Sequence, residues 1–249
     1  MVRLQTHVRR NLGGWVHSAY GWPNYLFWTA VVGLFIAIGA LNPRDHLRSV
    51  GARALGLCWG HWMWWTTPFW WRRWRGLENV GEGPYIIVAN HQSTIDIPCL
   101  FGLPLPMKLS ARGGIFRVPV MGHFLRWSGQ VDTDAFFEQA KAALEGGYSV
   151  AVFPEGSRSV DGEVQRFRSG AFKLAVDTGT PILPVAMDGA QSILCKRHYI
   201  AMHWWAVVDV LVMEPIEAGD DPKALSATTR GQIIDALQDI RSPRQLEAR

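Results

Sequence analysis

Two stretches free of Asp, Glu, Lys and Arg, Tyr25–Leu41 and Leu55–Trp71, stand near the start of the chain and constrain what can be built from it. Each runs 17 residues, the lower limit for a helix that crosses the hydrocarbon core of a bilayer. Such runs must be buried, in lipid or in a protein interior. Charge argues for lipid. Nine arginines and one acid, Asp45, precede position 76, whereas the rest of the chain carries sixteen basic and twenty acidic residues. The basicity belongs to the flanks of apolar segments and not to a folded face, which excludes the pattern of a nucleic-acid binder. Ten of the thirteen tryptophans lie at or before Trp74. Tryptophan prefers the headgroup level of a membrane, so the second segment reads as interfacial.

Arginines occupy all three flanks: Arg3, Arg9 and Arg10, then Arg44, Arg48 and Arg53, then Arg72, Arg73 and Arg75. The excess of positive charge on cytoplasmic loops puts every flank on one side, which favours a helical hairpin dipping into one leaflet over two full crossings. A signal peptide with Leu26–Ala40 as its apolar region is an alternative, but it leaves the second segment unexplained. A buried pair of core helices is another, and it sits poorly with so few polar residues on any face. The expectation is a membrane-anchoring hairpin over residues 1–75, at the cytoplasmic face of the cell membrane, and a domain carrying the chemistry over residues 76–249.

From Gly76 the chain alternates between two periods. Strands are expected at Tyr85–Ala89, Met107–Ala111, Tyr148–Phe153, Ile182–Ala186 and Ala206–Met213, and helices near Asp96–Leu103, Val118–Trp127, Ala135–Glu145, Ser169–Thr178 and Thr228–Arg241. This is the pattern of an α/β sandwich, a central mostly parallel or mixed sheet flanked by helices. The last helix, with Ile233, Ile234, Leu237 and Ile240 on one face, reads as packing.

Two strand ends carry chemistry. The β-branched run before Asn90 breaks into His91-Gln92-Ser93-Thr94-Ile95-Asp96-Ile97-Pro98, and Pro98 fits only within the first turn of a helix. His91 and Asp96 would diverge on a regular helix, so a turn between them is needed for the imidazole to meet the carboxylate. The pair points to proton abstraction. A second strand breaks into Phe153-Pro154-Glu155-Gly156-Ser157-Arg158-Ser159, a turn that presents Glu155, Ser157 and Arg158 together. In an open sheet both loops lie at the carboxyl edge, where ligands bind. Cys58, Cys99 and Cys195 give neither a metal spacing nor an even disulfide set. Cys99 lies near His91 but lacks the rest of a Cys-His nucleophilic site, and it reads as a buried structural thiol. His123, His198 and His203 have no partner at metal or triad spacing. Trp204 and Trp205 fit either a second membrane contact or a strand packing into the core.

Four blocks in order, Asn90–Asp96, Phe153–Ser159, Arg166–Lys173 and Pro181–Val185, resemble the glycerophospholipid acyltransferase family, and most closely its 1-acylglycerol-3-phosphate acyltransferase branch. The resemblance covers roughly residues 76 to 217. It departs at Gly114, where the family usually has a glutamate, and at Ala135, where an arginine usually follows the aspartate. The resemblance implies transfer of a fatty acyl group from acyl-CoA or acyl carrier protein to the free hydroxyl of a lysophospholipid, with His91 as general base and Asp96 as its orienting carboxylate. No cofactor or metal is implied. Acceptor contacts are expected from Glu155, Gly156, Ser157 and Arg158, with Arg112 or Arg168 in support, because a guanidinium grips phosphate with two bonds. The Glu155 carboxylate has two open roles, holding glycerol hydroxyls or ordering its own loop. The departures leave room for an acceptor without a phosphomonoester, such as a lyso-ornithine lipid. A thioesterase and a silent membrane scaffold are the readings from other classes.

Overall fold

The computed structural model describes residues 12–41, 49–194 and 205–242. Arg3, Arg9, Arg10, Arg44, Arg48, Cys195, His198, His203 and Trp204 lie outside the described residues. Seven strands form one sheet: β1 (Trp70–Arg75), β2 (Ile86–Ala89), β3 (Met107–Ala111), β4 (Val131–Asp132), β5 (Ser149–Val152), β6 (Ile182–Asp188) and β7 (Ala206–Val212). Their spatial order is β1-β7-β6-β2-β5-β3-β4. The sheet is mixed. β6, β2, β5, β3 and β4 run parallel, β7 is antiparallel to β6, and β1 runs parallel to β7.

The helices are α1 (Leu12–Ala40), α2 (Ser49–Ala54), α3 (Met63–Trp65), α4 (Asp96–Leu100), α5 (Gly113–Phe116), α6 (Met121–Trp127), α7 (Phe136–Glu145), α8 (Gly170–Thr178), α9 (Ala190–Ile193) and α10 (Pro222–Ile240). The near-continuous apolar character of β2 and β6 follows from burial on both faces. Along β2, Ile87 and Ala89 point into one core layer with α1–α4, whereas Ile86 and Val88 point into a second layer with α7, α8 and α10. The five expected strands are present, with ends shifted by at most two residues. α10 starts six residues earlier than expected because Asp221 caps it, accepting from the Lys223 N–H at 2.8 Å, with Pro222 in its first turn.

The N-terminal segments differ from the expectation from the second segment onward. α1 is the one helix among the described residues long and apolar enough to cross a membrane, over Ser18–Gly39. It packs against a second helix, in which a π-helical stretch, Leu55–Trp62, joins α2 to α3. That second helix ends at Trp65, and Trp70–Arg75 forms edge strand β1 of the sheet instead of continuing an interfacial segment through Trp71. Leu55, Cys58, Trp59, Met63 and Trp64 belong to the same core layer as β2, so two tryptophans of this helix pack on the domain while Trp62 and Trp65 stay exposed. Gly60 permits this: a Cβ there would stand 2.3 Å from the Phe101 carbonyl oxygen. The third arginine flank is likewise part of the fold. Arg72 lies between the Trp64 and Trp74 rings and donates to the carbonyls of Gly60 and Cys99, Arg73 pairs with Asp209 at 2.8 Å, and Arg75 pairs with Asp239.

Candidate active site

The parallel strands β2, β3, β4 and β5 end at one edge of the sheet. Their following loops surround a pocket of about 960 Å³ lined by His91, Arg112, Phe136, Phe153, Ser157 and Arg158 among others. This is the carboxyl edge expected of an open α/β sheet.

After β2, residues 90–95 make a turn that folds back onto α4, and Asp96 is the first residue of that helix. Its side chain is 1 % exposed. Oδ2 accepts from the backbone N–H groups of Gln92 and Ser93, both at 2.7 Å, and faces His91 Nδ1 at 2.9 Å. A carboxylate in such a bond can only accept, so Nδ1 carries the hydrogen and Nε2 is left as the acceptor nitrogen of the neutral ring. The His91 ring stacks on Phe153, with centroids 4.1 Å apart and an interplanar angle of 16°. Stacking and the Asp96 bond together hold the ring in one orientation at the pocket wall. Asn90, one residue earlier, is locked to β6 by paired bonds with the Met187 backbone at 2.8 Å.

After β5, Gly156 takes φ +70°, a conformation natural to glycine, and lets the chain turn sharply, with its N–H on the Phe153 carbonyl. A Cβ at this position would meet the Arg168 guanidinium. Glu155 points away from the pocket. It is buried, with Oε1 accepting from the His91 N–H at 2.8 Å and Oε2 from the Gln165 N–H at 3.2 Å, and it does not line the cavity. Burial pushes its carboxyl pKa up, and the two backbone donors partly offset that. Each of its oxygens thus holds a backbone N–H of a neighbouring loop, and the side chain stands outside the cavity lining.

Three expected arginines converge. Arg158 donates to Thr94 Oγ1 at 2.9 Å, Arg112 donates to the Gly156 carbonyl, and Arg168 follows on the segment anchored by its own N–H to the Pro154 carbonyl. All three line the pocket with Gly156 and Ser157. Arg117, Arg166 and Lys173 do not; Arg117 pairs with Asp134 at 3.0 Å on the surface. Ala135 lines the pocket, and the space beyond Gly114 is open. Cys99 is buried on α4, where desolvation pushes its thiol pKa up to about 12, so it is no nucleophile at neutral pH. Among the described residues no cluster of three or more His, Cys, Asp and Glu side chains could hold a metal.

Sequence reasoning missed Phe153 as the ring beneath His91, Thr94 as the partner of Arg158, and the apolar contribution of Ile115, Phe136 and Phe137 to the pocket. It also missed a brace behind the His91 loop, in which Asp188 accepts from Gln92 Nε2 at 3.3 Å and from Arg241 Nη2 at 2.8 Å. A strand ending in an aromatic beside a second functional loop was the available signal for Phe153. Nothing local could have linked position 241 to position 92.

Comparison with known proteins converges on one group. A family model described as Acyltransferase matches residues 72–188. The chain is 36 % identical over 181 residues to a chloroplastic 1-acyl-sn-glycerol-3-phosphate acyltransferase of Brassica napus, a match covering 68 % of this chain and 52 % of the relative. It is 30 % identical to a 1-acyl-sn-glycerol-3-phosphate acyltransferase of Pseudomonas aeruginosa, over 61 % of this chain and 62 % of that one. The chain spans about half the length of the first curated relatives it matches. The crystal structure of the 1-acyl-sn-glycerophosphate acyltransferase PlsC from Thermotoga maritima shares the fold, with a TM-score of 0.76 at 24 % identity, covering 92 % of this chain and 98 % of that one.

Proposed function

The chain belongs to the acyltransferase family, and from that premise we propose that it moves a fatty acyl group from a thioester, acyl-CoA or acyl carrier protein, to the free hydroxyl of 1-acylglycerol-3-phosphate, giving phosphatidic acid. The observation that carries the reading is the His91–Asp96 pair at 2.9 Å, with a hydrogen on Nδ1 and Nε2 left for the cavity. Nε2 takes the acceptor's hydroxyl proton as that oxygen attacks the thioester carbon. The carbonyl π electrons move onto oxygen, and collapse of the tetrahedral adduct expels the thiolate, which receives the proton back from the imidazolium. General-base help of this kind contributes about 10²–10⁴ in rate. Asp96 fixes the tautomer and stabilises the transient imidazolium. The nucleophile belongs to the substrate, so no covalent acyl-enzyme is required.

Arg158, Arg112 and Arg168 face the same pocket and supply the charge that a phosphomonoester needs, which favours a lysophosphatidate acceptor over one without that group. α1, with its exposed apolar face, holds the enzyme at the bilayer where acceptor and product reside, on the cytoplasmic side. The test supplies purified protein with acyl-CoA, with and without lysophosphatidate, and follows free thiol. Acceptor-dependent release together with phosphatidic acid in the product lipids supports the reading. Release that ignores the acceptor means a thioesterase, and a clear preference for a lyso-ornithine lipid or monoacylglycerol overturns the phosphate assignment.

A further inference from the structure

Between β3 and β4 the chain presents large apolar side chains to solvent: Ile115, Val118, Val120, Met121 and Trp127, joined by Phe137 on α7. Val120 is the extreme case, 81 % exposed. Its backbone takes φ 66° and ψ −59°, and the Met121 N–H bonds to the Pro119 carbonyl at 2.7 Å. This is the rare γ-turn with positive φ, a strained geometry, and it is least suited to a β-branched residue. The fold therefore holds an apolar side chain in water at a cost in backbone energy, without packing among the described residues to offset it.

We propose that this segment is a second lipid-facing surface, which docks on an anionic bilayer and seats the mouth of the pocket against it, so that the acceptor enters from the leaflet; the proposal rests on the lipid-acceptor reading above. Three observations name the occupant. The patch is continuous with α1: α6 packs on α1, and Phe124 stacks with Trp59, so the outer side of α6 extends the exposed apolar face of Leu26, Leu34 and Ile38. Its stretch from position 112 to 127 carries Arg112, Arg117 and Arg126 and no acid; Asp134 neutralises Arg117 at 3.0 Å, and Arg112 and Arg126 supply the charge that anionic headgroups attract. And it ends at the site, since Ile115 and Phe137 are both exposed and line the pocket. A second copy of the chain is a poorer occupant, because a two-fold contact would set these arginines against each other.

The full chain carrying Cys195→Ser and Val120→Cys, labelled with nitrobenzoxadiazole, is reconstituted on phosphatidylcholine vesicles with or without phosphatidylglycerol. Cys58 and Cys99 are buried and stay unlabelled. The expected result is blue-shifted emission quenched by doxyl-labelled lipid, more strongly with phosphatidylglycerol; water-like, unquenched emission from protein that co-floats with the vesicles overturns the proposal. In the unlabelled chain, Val120→Asp is expected to lower turnover of long-chain lysophosphatidate in vesicles about tenfold, the scale of removing one valine from an apolar contact, and to leave turnover of a short-chain acceptor dissolved as monomer unchanged. Val120→Gly, which adopts the turn without strain and so keeps the fold, is expected to show the same split. Equal loss with both acceptors, or loss with neither, overturns the proposal. If the parent chain turns over neither acceptor, the proposed reaction has failed, and the probe emission still decides the lipid contact.

Discussion

Replacing Asp96 by Asn isolates a charge, because the surroundings fix which way the amide must point. Oδ2 accepts three hydrogen bonds, from Gln92 N–H, Ser93 N–H and His91 Nδ1–H, while the buried Oδ1 has no partner. An asparagine therefore keeps all three bonds by placing its carbonyl oxygen at the Oδ2 position and its NH₂ at the Oδ1 position. The reverse orientation sets an NH₂ against three donors, at about 1–3 kcal/mol for each group left unsatisfied. The ring keeps its tautomer, and what disappears is the negative charge beside the imidazolium formed during proton transfer. With charge centres about 4 Å apart and an effective dielectric constant of about 20, that attraction is about 4 kcal/mol, or about 10³ in rate. Asp96→Asn should thus lose about 10²–10³ in kcat with acceptor KM nearly unchanged, and melt only modestly below the parent, because the NH₂ at the buried Oδ1 position finds no acceptor. Steady-state kinetics with lysophosphatidate, paired with thermal melts, checks this. A variant retaining more than a third of parental kcat refutes the electrostatic role. A large drop in melting temperature would show that the loop does not choose the amide orientation and that any rate loss is structural.

His91→Ala should abolish nearly all turnover while leaving the melting temperature close to the parent; more than a tenth of parental kcat would remove His91 from the base role. Arg158→Ala should raise acceptor KM about tenfold or more with donor KM little changed, since a charge-assisted bond contributes about 1.5–3 kcal/mol, and an effect confined to the donor would reassign the residue. Glu155 has a folded pKa above its ordinary value because of burial, so its stability contribution is fully present below the unfolded pKa and is lost as pH rises through the folded one. Accordingly the stability of the parent relative to Glu155→Gln should be greatest in acid and fall toward neutral pH; melts of the two proteins across that range check it, and a difference that grows with pH contradicts the assignment. Cys99 should resist iodoacetamide in the folded protein at neutral pH and react once unfolded, read by peptide mass, because its thiol pKa is pushed up to about 12.

The sequence by itself determined the elements whose signals are local. β2, β3, β5, β6 and β7 were legible as apolar runs bounded by turn residues, and Pro98 with the break after Asn90 located the turn that brings His91 to Asp96. Both loops fell on one sheet edge because parallel strands in a doubly covered sheet leave no other arrangement. Tertiary structure alone decided what depends on distant partners. Trp70–Arg75, a run of tryptophan and arginine without alternation, is a strand only because β7 offers it a parallel edge, and it took with it three arginines that composition assigned to a membrane flank. Trp59 and Trp64 of the second helix were indistinguishable from headgroup anchors until Gly60 met the backbone at Phe101, whereas Trp62 and Trp65 remain exposed. Glu155 carried the chemistry of a binding residue, yet its two oxygens are engaged by N–H groups at positions 91 and 165, which no local pattern connects. Among the basic residues in or beside the four blocks, Arg112, Arg158 and Arg168 reach the pocket, Arg112 from the end of β3 and the other two from the connection between β5 and α8. Propensity and periodicity act over a few residues, whereas the convergence of charges is set by strand order, which is fixed by pairing across the whole chain.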